Sequence, residues 1–255
     1  MHPLQPDAPR AELMRITGAD ASRFVQAQFA SDSSELAVGQ WQWSSWLDAQ
    51  GRVQAFMQLA HRHDDEWMAL LRGGSANALA ARLRRYVLRA QVAIDIIAAA
   101  TLCGGDALPA QLFAVTGDTL RFGLGERSLS VNDAHHDEDW LAADVRDGLP
   151  WLPDAALGTQ LPPALGLYRL GAVSTSKGCY PGQEIVSRLH FRGGHKQHLH
   201  RFDLVGDWSP GQPILNGDAT IGMVLTRAGD QALAALRDDA LDCPTLPPHL
   251  SSYAS

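Results

Sequence analysis

Eight consecutive residues, Lys177-Gly178-Cys179-Tyr180-Pro181-Gly182-Gln183-Glu184, hold the densest chemistry in this chain. Cys179 offers a nucleophilic or ligating thiol, and Lys177, two residues earlier, is a cation that would favour its ionised form. Gly178 and Gly182 allow the backbone to approach a ligand closely or to adopt positive φ. Pro181 suits the first position of a helix carrying Ile185, Val186 and Leu189. That start would place Cys179 and Tyr180 just ahead of a helix N-terminus, where free amides and the helix dipole favour a thiolate. Gln183 and Glu184 would anchor the loop or orient a ligand, and Glu184 would equally serve as a first-turn acid. Taken alone, a lone cysteine in a tight loop is more often a buried structural residue.

A second concentration lies just downstream. The segment from Arg188 to Arg201, RLHFRGGHKQHLHR, carries four Lys/Arg and four His and no acid. Arg192 and Lys196 would attract an anionic group, such as a polyglutamate tail or a phosphate backbone. His198 and His200, two apart on an expected strand, share a face and with His195 could meet a metal, but no Cys or carboxylate stands at ligand-like spacing nearby. A solvated surface is the favoured reading of these histidines, and no metal is expected. His61, His63, His135 and His136 lie beside turns and should face solvent.

The composition is 45% hydrophobic and 19% charged over 255 residues, enough to bury a large core or two modest ones. The net charge of −7 disfavours non-specific binding to nucleic acid, apart from the basic segment above. Three cysteines, Cys103, Cys179 and Cys243, are scattered and odd in number, which argues against a disulfide framework or a zinc ribbon and for reduced thiols. No apolar run reaches the roughly 20 residues that cross a bilayer, and the first residues show no basic and apolar leader, so a cytoplasmic protein is expected.

The elements that must position these groups follow from periodicity. Glu12 to Ile16 reads as a strand, broken by Thr17-Gly18-Ala19-Asp20 before a helix through Phe24, Val25 and Gln28. Three runs, 41–47, 53–60 and 67–71, alternate with turn-like segments as an antiparallel meander. A helix capped by Ser75 carries Leu79, Leu83, Tyr86 and Val87, and 92–97 returns as a strand. Shorter strands are expected over 113–131, a helix over 137–147 with Trp140, Leu141 and Val145, and mostly loop over 148–176. Short β-like runs at 202–205, 220–226 and 232–236 suggest a small C-terminal β-barrel. Strands and helices without a strict β-α-β rhythm indicate an α+β fold. The expected division is a body over 1–196 and a small barrel over 197–255.

The motif at Lys177 to Glu184, with Ile185-Val186-Ser187-Arg188 and Phe191-Arg192-Gly193-Gly194-His195-Lys196 behind it, closely resembles the Lys-Gly-Cys-Tyr-x-Gly-Gln-Glu signature of YgfZ-type proteins, relatives of the glycine-cleavage T-protein. Weaker similarity runs through Thr17 to Asp20, Val25 to Gln28, Asp48 to Gly51, Trp140-Leu141 and Gly148 to Pro150, and so through most of the chain. The resemblance implies a T-protein-like α+β body around a central tetrahydrofolate cavity, with the small barrel behind it. It implies an accessory role toward iron-sulfur proteins or their assembly machinery, with an indirect effect on tRNA modification, in which Cys179 is the functional residue. Trp140 matches a tryptophan assigned to folate, though a Trp on a helix face is by itself more often core.

Two features depart from the pattern. The aspartate pair of T-proteins is replaced by Ala55 and Phe56, which argues against aminomethyl transfer. The pterin-contacting Glu is replaced by Arg146, leaving Asp147 as the nearest carboxylate. The alternatives are a folate-dependent one-carbon transferase and a tRNA-binding module working through the segment 188–201.

Overall fold

The computed structural model describes residues 11–132, 140–204, 206–240 and 251–252, and within them the strands form three antiparallel sheets. The first contains β1 (Ala11–Thr17), β2 (Gln40–Leu47), β3 (Val53–His63), β4 (Glu66–Gly73) and β5 (Ala93–Ala100), in the order β2-β3-β4-β1-β5. The second pairs β6 (Leu102–Gly105), β7 (Phe113–Thr116), β8 (Thr119–Gly123) and β9 (Ser128–Val131) as β6-β9-β8-β7. Four helices accompany them among the described residues: α1 (Ala21–Gln28), α2 (Ala76–Leu83), α3 (Trp140–Arg146) and α4 (Gln183–Arg192).

Strands β3 and β4 are buried on both faces, which explains why they read as nearly continuous apolar runs. In β4, Trp67, Ala69 and Leu71 join α1 and α2 in one core, while Met68 and Leu70 face the larger core that also holds Trp41, Phe56, Trp140 and Trp151. The two-residue period of the strand sorts neighbouring side chains between these layers. The second sheet is fastened to the first by the Trp41 indole, whose Nε1 donates to the Gly123 carbonyl at 3.1 Å, and by an antiparallel bridge between Gln40 and Leu112.

The C-terminal strands differ from expectation in closure. β10 (Gln197–Asp203), β11 (Pro213–Asn216), β12 (Ala219–Ala228), β13 (Gln231–Arg237) and β14 (Ser251–Ser252) form a five-stranded sheet in the order β11-β12-β13-β10-β14, and the described pairings do not join its two edges into a barrel. β13 alternates as β4 does: Ala232, Ala234 and Leu236 face a small local core, while Leu233 and Ala235 enter the large one. Residues on either side of position 196 therefore share a core.

Smaller differences concern helix ends. α2 stops at Leu83 and a 3-10 turn follows (Arg84–Tyr86), leaving Tyr86 exposed. Ser75 occupies the N-cap position without a side-chain bond, and the Ala76 amide instead donates to a Glu12 carboxylate oxygen across the sheet. His61 is half-buried and stacked on Trp67 at 4.2 Å rather than turned to solvent, whereas His63 is exposed. Residues 133–139, with His135 and His136, and Cys243 lie outside the described residues.

Candidate functional site

Residues 174–182 form a loop fixed from both sides of Cys179. Lys177 is only 6% exposed, and its Nζ donates to the carbonyls of Gln26, Phe29 and Ser31 at 2.5, 2.7 and 2.9 Å. The last turn of α1 and the chain leaving it present carbonyls without helical partners, and the ammonium satisfies one of the helix and two beyond it with its three protons. Burial brings Lys177 down to about 8, with Asp32 opposing. Lys177 is thus spent on the backbone of α1 and its exit, and it anchors the loop instead of serving as the thiol's counter-ion.

Tyr180 holds the other side. Its ring is buried, its hydroxyl donates to the Ser174 carbonyl at 2.6 Å, and burial pushes the phenol well up, with Tyr168 adding to the effect. Gln183 Nε2 donates to the Lys177 carbonyl at 2.9 Å, and the Ser174 hydroxyl accepts from the Lys177 amide at 3.1 Å. Glu184 points outward to Arg188 at 3.0 Å, an exposed i,i+4 pair that contributes little. Between these fixed neighbours Cys179 is an exposed free thiol, whereas Cys103 is buried.

The loop turns into α4 later than the sequence suggests. Pro181 and Gly182 form a turn, Gly182 takes the N-cap position with φ +82°, and the helix begins at Gln183. The reason is steric: a Cβ at Gly182 would lie 2.5 Å from the Asp48 carbonyl oxygen and 2.9 Å from the Gly51 Cα, and one on Gly51 would lie 3.0 Å from Ile185. The Asp48-to-Gly51 turn and the cysteine loop, remote in sequence, therefore pack glycine against glycine. Asp48 stiffens that turn by accepting from the Gln50 and Arg52 amides and from Gln54 Nε2. Gly178 is different, since a Cβ there would meet nothing within 4 Å.

A second polar centre lies inside the large core. Arg72 and Asp144 are both 0% exposed by side chain and meet at 2.6 Å. Asp144 also accepts from Trp151 Nε1 at 2.9 Å and from Arg127 at 2.8 Å, and Arg127 continues to Asp147. The Arg72 guanidinium lies 4.2 Å from the Trp151 ring centroid and 5.1 Å from that of Trp43, which stacks on Phe56. Burial lowers the Arg72 pKa while Asp144 opposes it, and Arg72 Nη1 has no hydrogen-bond partner among the described residues. Arg72, Leu141, Trp151, Leu152, Glu12 and Asp154 belong to the wall of a cavity of about 260 Å³.

None of Trp140, Asp147, Arg192 and Lys196 lines that cavity. Trp140 is packed edge-on against Trp151 at 5.4 Å in the core, so the cavity-lining indole is Trp151. Arg146 and Asp147 are exposed at the end of α3, and the buried acid of that helix is Asp144, one turn earlier. Arg192 and Lys196 are exposed at the opposite end of α4 from Cys179. Among the described residues no group of three or more His, Cys, Asp or Glu has the geometry to hold a metal, and no helix is long and apolar enough to cross a membrane.

No family model matches the chain. Among curated proteins, the tRNA-modifying protein YgfZ of Cronobacter sakazakii is 29% identical over 265 residues, covering 89% of this chain and 79% of that protein. An uncharacterized protein of Haemophilus influenzae is 30% identical over 198 residues, covering 75% of this chain and 70% of its own. The chain belongs to the YgfZ-type family. The crystal structure of the glycine cleavage system aminomethyltransferase T from Bartonella henselae superposes with a TM-score of 0.68 at 13% identity, over 89% of this chain and 76% of that one, which establishes the T-protein fold.

Within this YgfZ-type chain, Ala55 and Phe56 are buried on β3, so no carboxylate stands there. Three residues of the site escaped the sequence reading: Arg72, Asp144 and Trp151. Trp151 had a signal, since it directly follows the Gly148-Leu149-Pro150 run of the resemblance. Arg72 and Asp144 had none, because an Arg at the end of an apolar strand and an Asp within a short helix read as surface residues.

Proposed function

We propose that the protein is a YgfZ-type accessory protein of tRNA modification that acts through the Cys179 thiol, with a reduced folate as its small-molecule partner and iron-sulfur enzymes as its clients. The observation that carries this reading is the contrast along three residues: Lys177 and Tyr180 are buried and bonded to main-chain carbonyls while Cys179 between them is exposed. A structural cysteine needs no such frame. A thiol that must meet a partner at a fixed place does, because each side chain left mobile costs affinity or rate. The relative in Cronobacter sakazakii, whose name is that of a tRNA-modifying protein, supports the biological setting.

The residues lining the 260 Å³ cavity fit the pterin end of a folate. A pterin is a flat ring presenting both hydrogen-bond donors and acceptors. The Trp151 ring and Leu141 and Leu152 would hold its faces, the unpaired Nη1 of Arg72 would donate to an acceptor, and Glu12 and Asp154 are the carboxylates available to its donors. A bound reduced folate supplies one-carbon units or reducing equivalents. With Ala55 and Phe56 in place of carboxylates, this chain has no group there to take a proton from an aminomethyl donor, so aminomethyl transfer is not part of the proposal.

The test is complementation of a deletion strain, read as the methylthiolated fraction of its tRNA. Wild type should restore it and Cys179→Ala should not; full restoration by Cys179→Ala would remove the thiol from the function. Calorimetric titration with tetrahydrofolate addresses the ligand, and Trp151→Leu should weaken binding at least tenfold, whereas unchanged affinity would move the folate elsewhere.

A further inference from the structure

α4 has two ends, about 15 Å apart at 1.5 Å per residue. Its N-terminal end carries the cysteine loop. Its C-terminal end forms one wall of a separate cavity of about 410 Å³, within the size range of small-molecule sites. Tyr168, Arg169, His190, His195, His198 and Leu199 are among the residues that line it, and no Asp or Glu does.

The polar character of the wall is unusual for an acidic protein. Arg169 contributes a permanent positive charge from the segment before the cysteine loop, His190 comes from α4, and His195 and His198 come from the lead into β10 and its first turn of strand. The carboxylate facing this group is Asp238, bound to His198 Nδ1 at 2.6 Å. His195 Nε2 is buried and has no hydrogen-bond partner among the described residues. A buried ring nitrogen without a partner is the kind of polar atom that a ligand completes. Burial, then His198, lowers the His195 pKa, with Asp238 opposing.

Besides Pro163, Leu189 and Leu199, the wall carries aromatic rings. The Tyr168 and His190 rings lie 5.5 Å apart, and Phe191, 75% exposed, stands 5.0 Å from His190. Gly193 and Gly194 leave the cavity edge open, since a Cβ on either would meet nothing within 4 Å. A flat ring with an anionic group is what such a wall accommodates: the ring against Tyr168 or His190, the anion at Arg169 and the histidines. Arg192 and Lys196 in the same segment would draw it in.

We infer that this cavity is a nucleotide site, taking a phosphate with its attached base, from either a free nucleotide or a single-stranded RNA. An anion beside His195 reverses the bias of its surroundings toward the neutral ring. Binding therefore takes up a proton, and affinity rises as pH falls, by up to about tenfold per pH unit for one linked proton.

A phosphodiester probe keeps the ligand's own charge constant across this range. Uridylyl-uridine titrated into the full chain between pH 8 and pH 6 should bind progressively tighter, with proton uptake seen as a dependence of the calorimetric heat on buffer ionisation. His195→Gln should retain the fold and lose that pH dependence. A decauridylate that binds more than tenfold tighter than the dinucleotide assigns RNA as the source, and equal affinity assigns a free nucleotide. No binding of either probe, or the same pH profile in wild type and His195→Gln, overturns the site. Because Cys179 and the Trp151 cavity are untouched, complementation and tetrahydrofolate binding by His195→Gln report on the thiol and folate reading separately.

Discussion

The cysteine loop and the Arg72–Asp144 centre solve opposite problems with polar side chains. In the loop, Lys177, Tyr180 and Gln183 are inserted among main-chain carbonyls, and what they leave outside is a thiol. In the core, Asp144 gathers Arg72, Arg127 and Trp151, Arg72 also donates to the Leu149 and Pro150 carbonyls, and among the described residues Nη1 of Arg72, which lines a cavity, and Nη1 of Arg127 stay without a partner. The first arrangement positions a thiol toward solvent. The second keeps a charged donor buried, where a bond to a ligand is electrostatically stronger than in water. A buried charge depends on its partner for survival, whereas an exposed thiol depends on its frame only for position.

The largest effect should come from breaking the core. Asp144→Ala leaves Arg72 buried and uncompensated and should cost about 3–5 kcal/mol of unfolding free energy in urea titration. A loss below about 1 kcal/mol would mean that water reaches the guanidinium and that the centre is not dry.

Next come the two glycines of the loop, which sharpen the comparison because they sit four residues apart with opposite surroundings. Gly182→Ala meets the Asp48 carbonyl and a φ of +82°, and should cost at least about 1–2 kcal/mol while shifting the loop. Gly178→Ala meets nothing within 4 Å, and its stability should stay within about 0.5 kcal/mol of wild type. Equal costs for the two would contradict the packing of loop on turn.

The last test reads a slope. Lys177 is held at about 8 when folded against an ordinary 10.5, so between those values the unfolded chain binds more protons than the folded one. The contribution of Lys177 to stability should therefore be flat below pH 8 and rise with pH from 8 toward 10.5. Unfolding free energies of wild type and Lys177→Met at pH 7, 8, 9 and 10 isolate it as a difference. A difference that falls across this window would mean that the three carbonyls hold the ammonium charged against its burial.

How much was legible varies with the kind of signal. The first sheet and α1 are legible because apolar runs bounded by turn residues and the helical period are local signals, and β2, β3 and β4 fall close to the runs at 41–47, 53–60 and 67–71. The C-terminal strands are legible as local runs, whereas the order β11-β12-β13-β10-β14 of their described pairings is not, because it depends on edges far apart in sequence. The helix start at Pro181 was misjudged by two residues. Proline's preference for the first helical position gave way to the contact of Gly182 with Asp48 and Gly51, which no local pattern reveals.

Chain order alone tells that an eight-residue motif surrounds Cys179, that the fold is α+β, and that the family is YgfZ-type. Residue types, periodicity and signature are properties of the chain order, and they survive without coordinates. Tertiary structure alone decided what each motif residue does. Lys177 is two residues from Cys179 along the chain, yet its charge is committed to carbonyls some 150 residues away in sequence. Trp140 and Trp151 are equally aromatic, yet only one of them lines the cavity. The physical reason is the same in both cases: burial makes a polar or aromatic group answer to whatever the fold brings within about 3–5 Å, and that neighbourhood is set by strand register and packing rather than by adjacency in the chain.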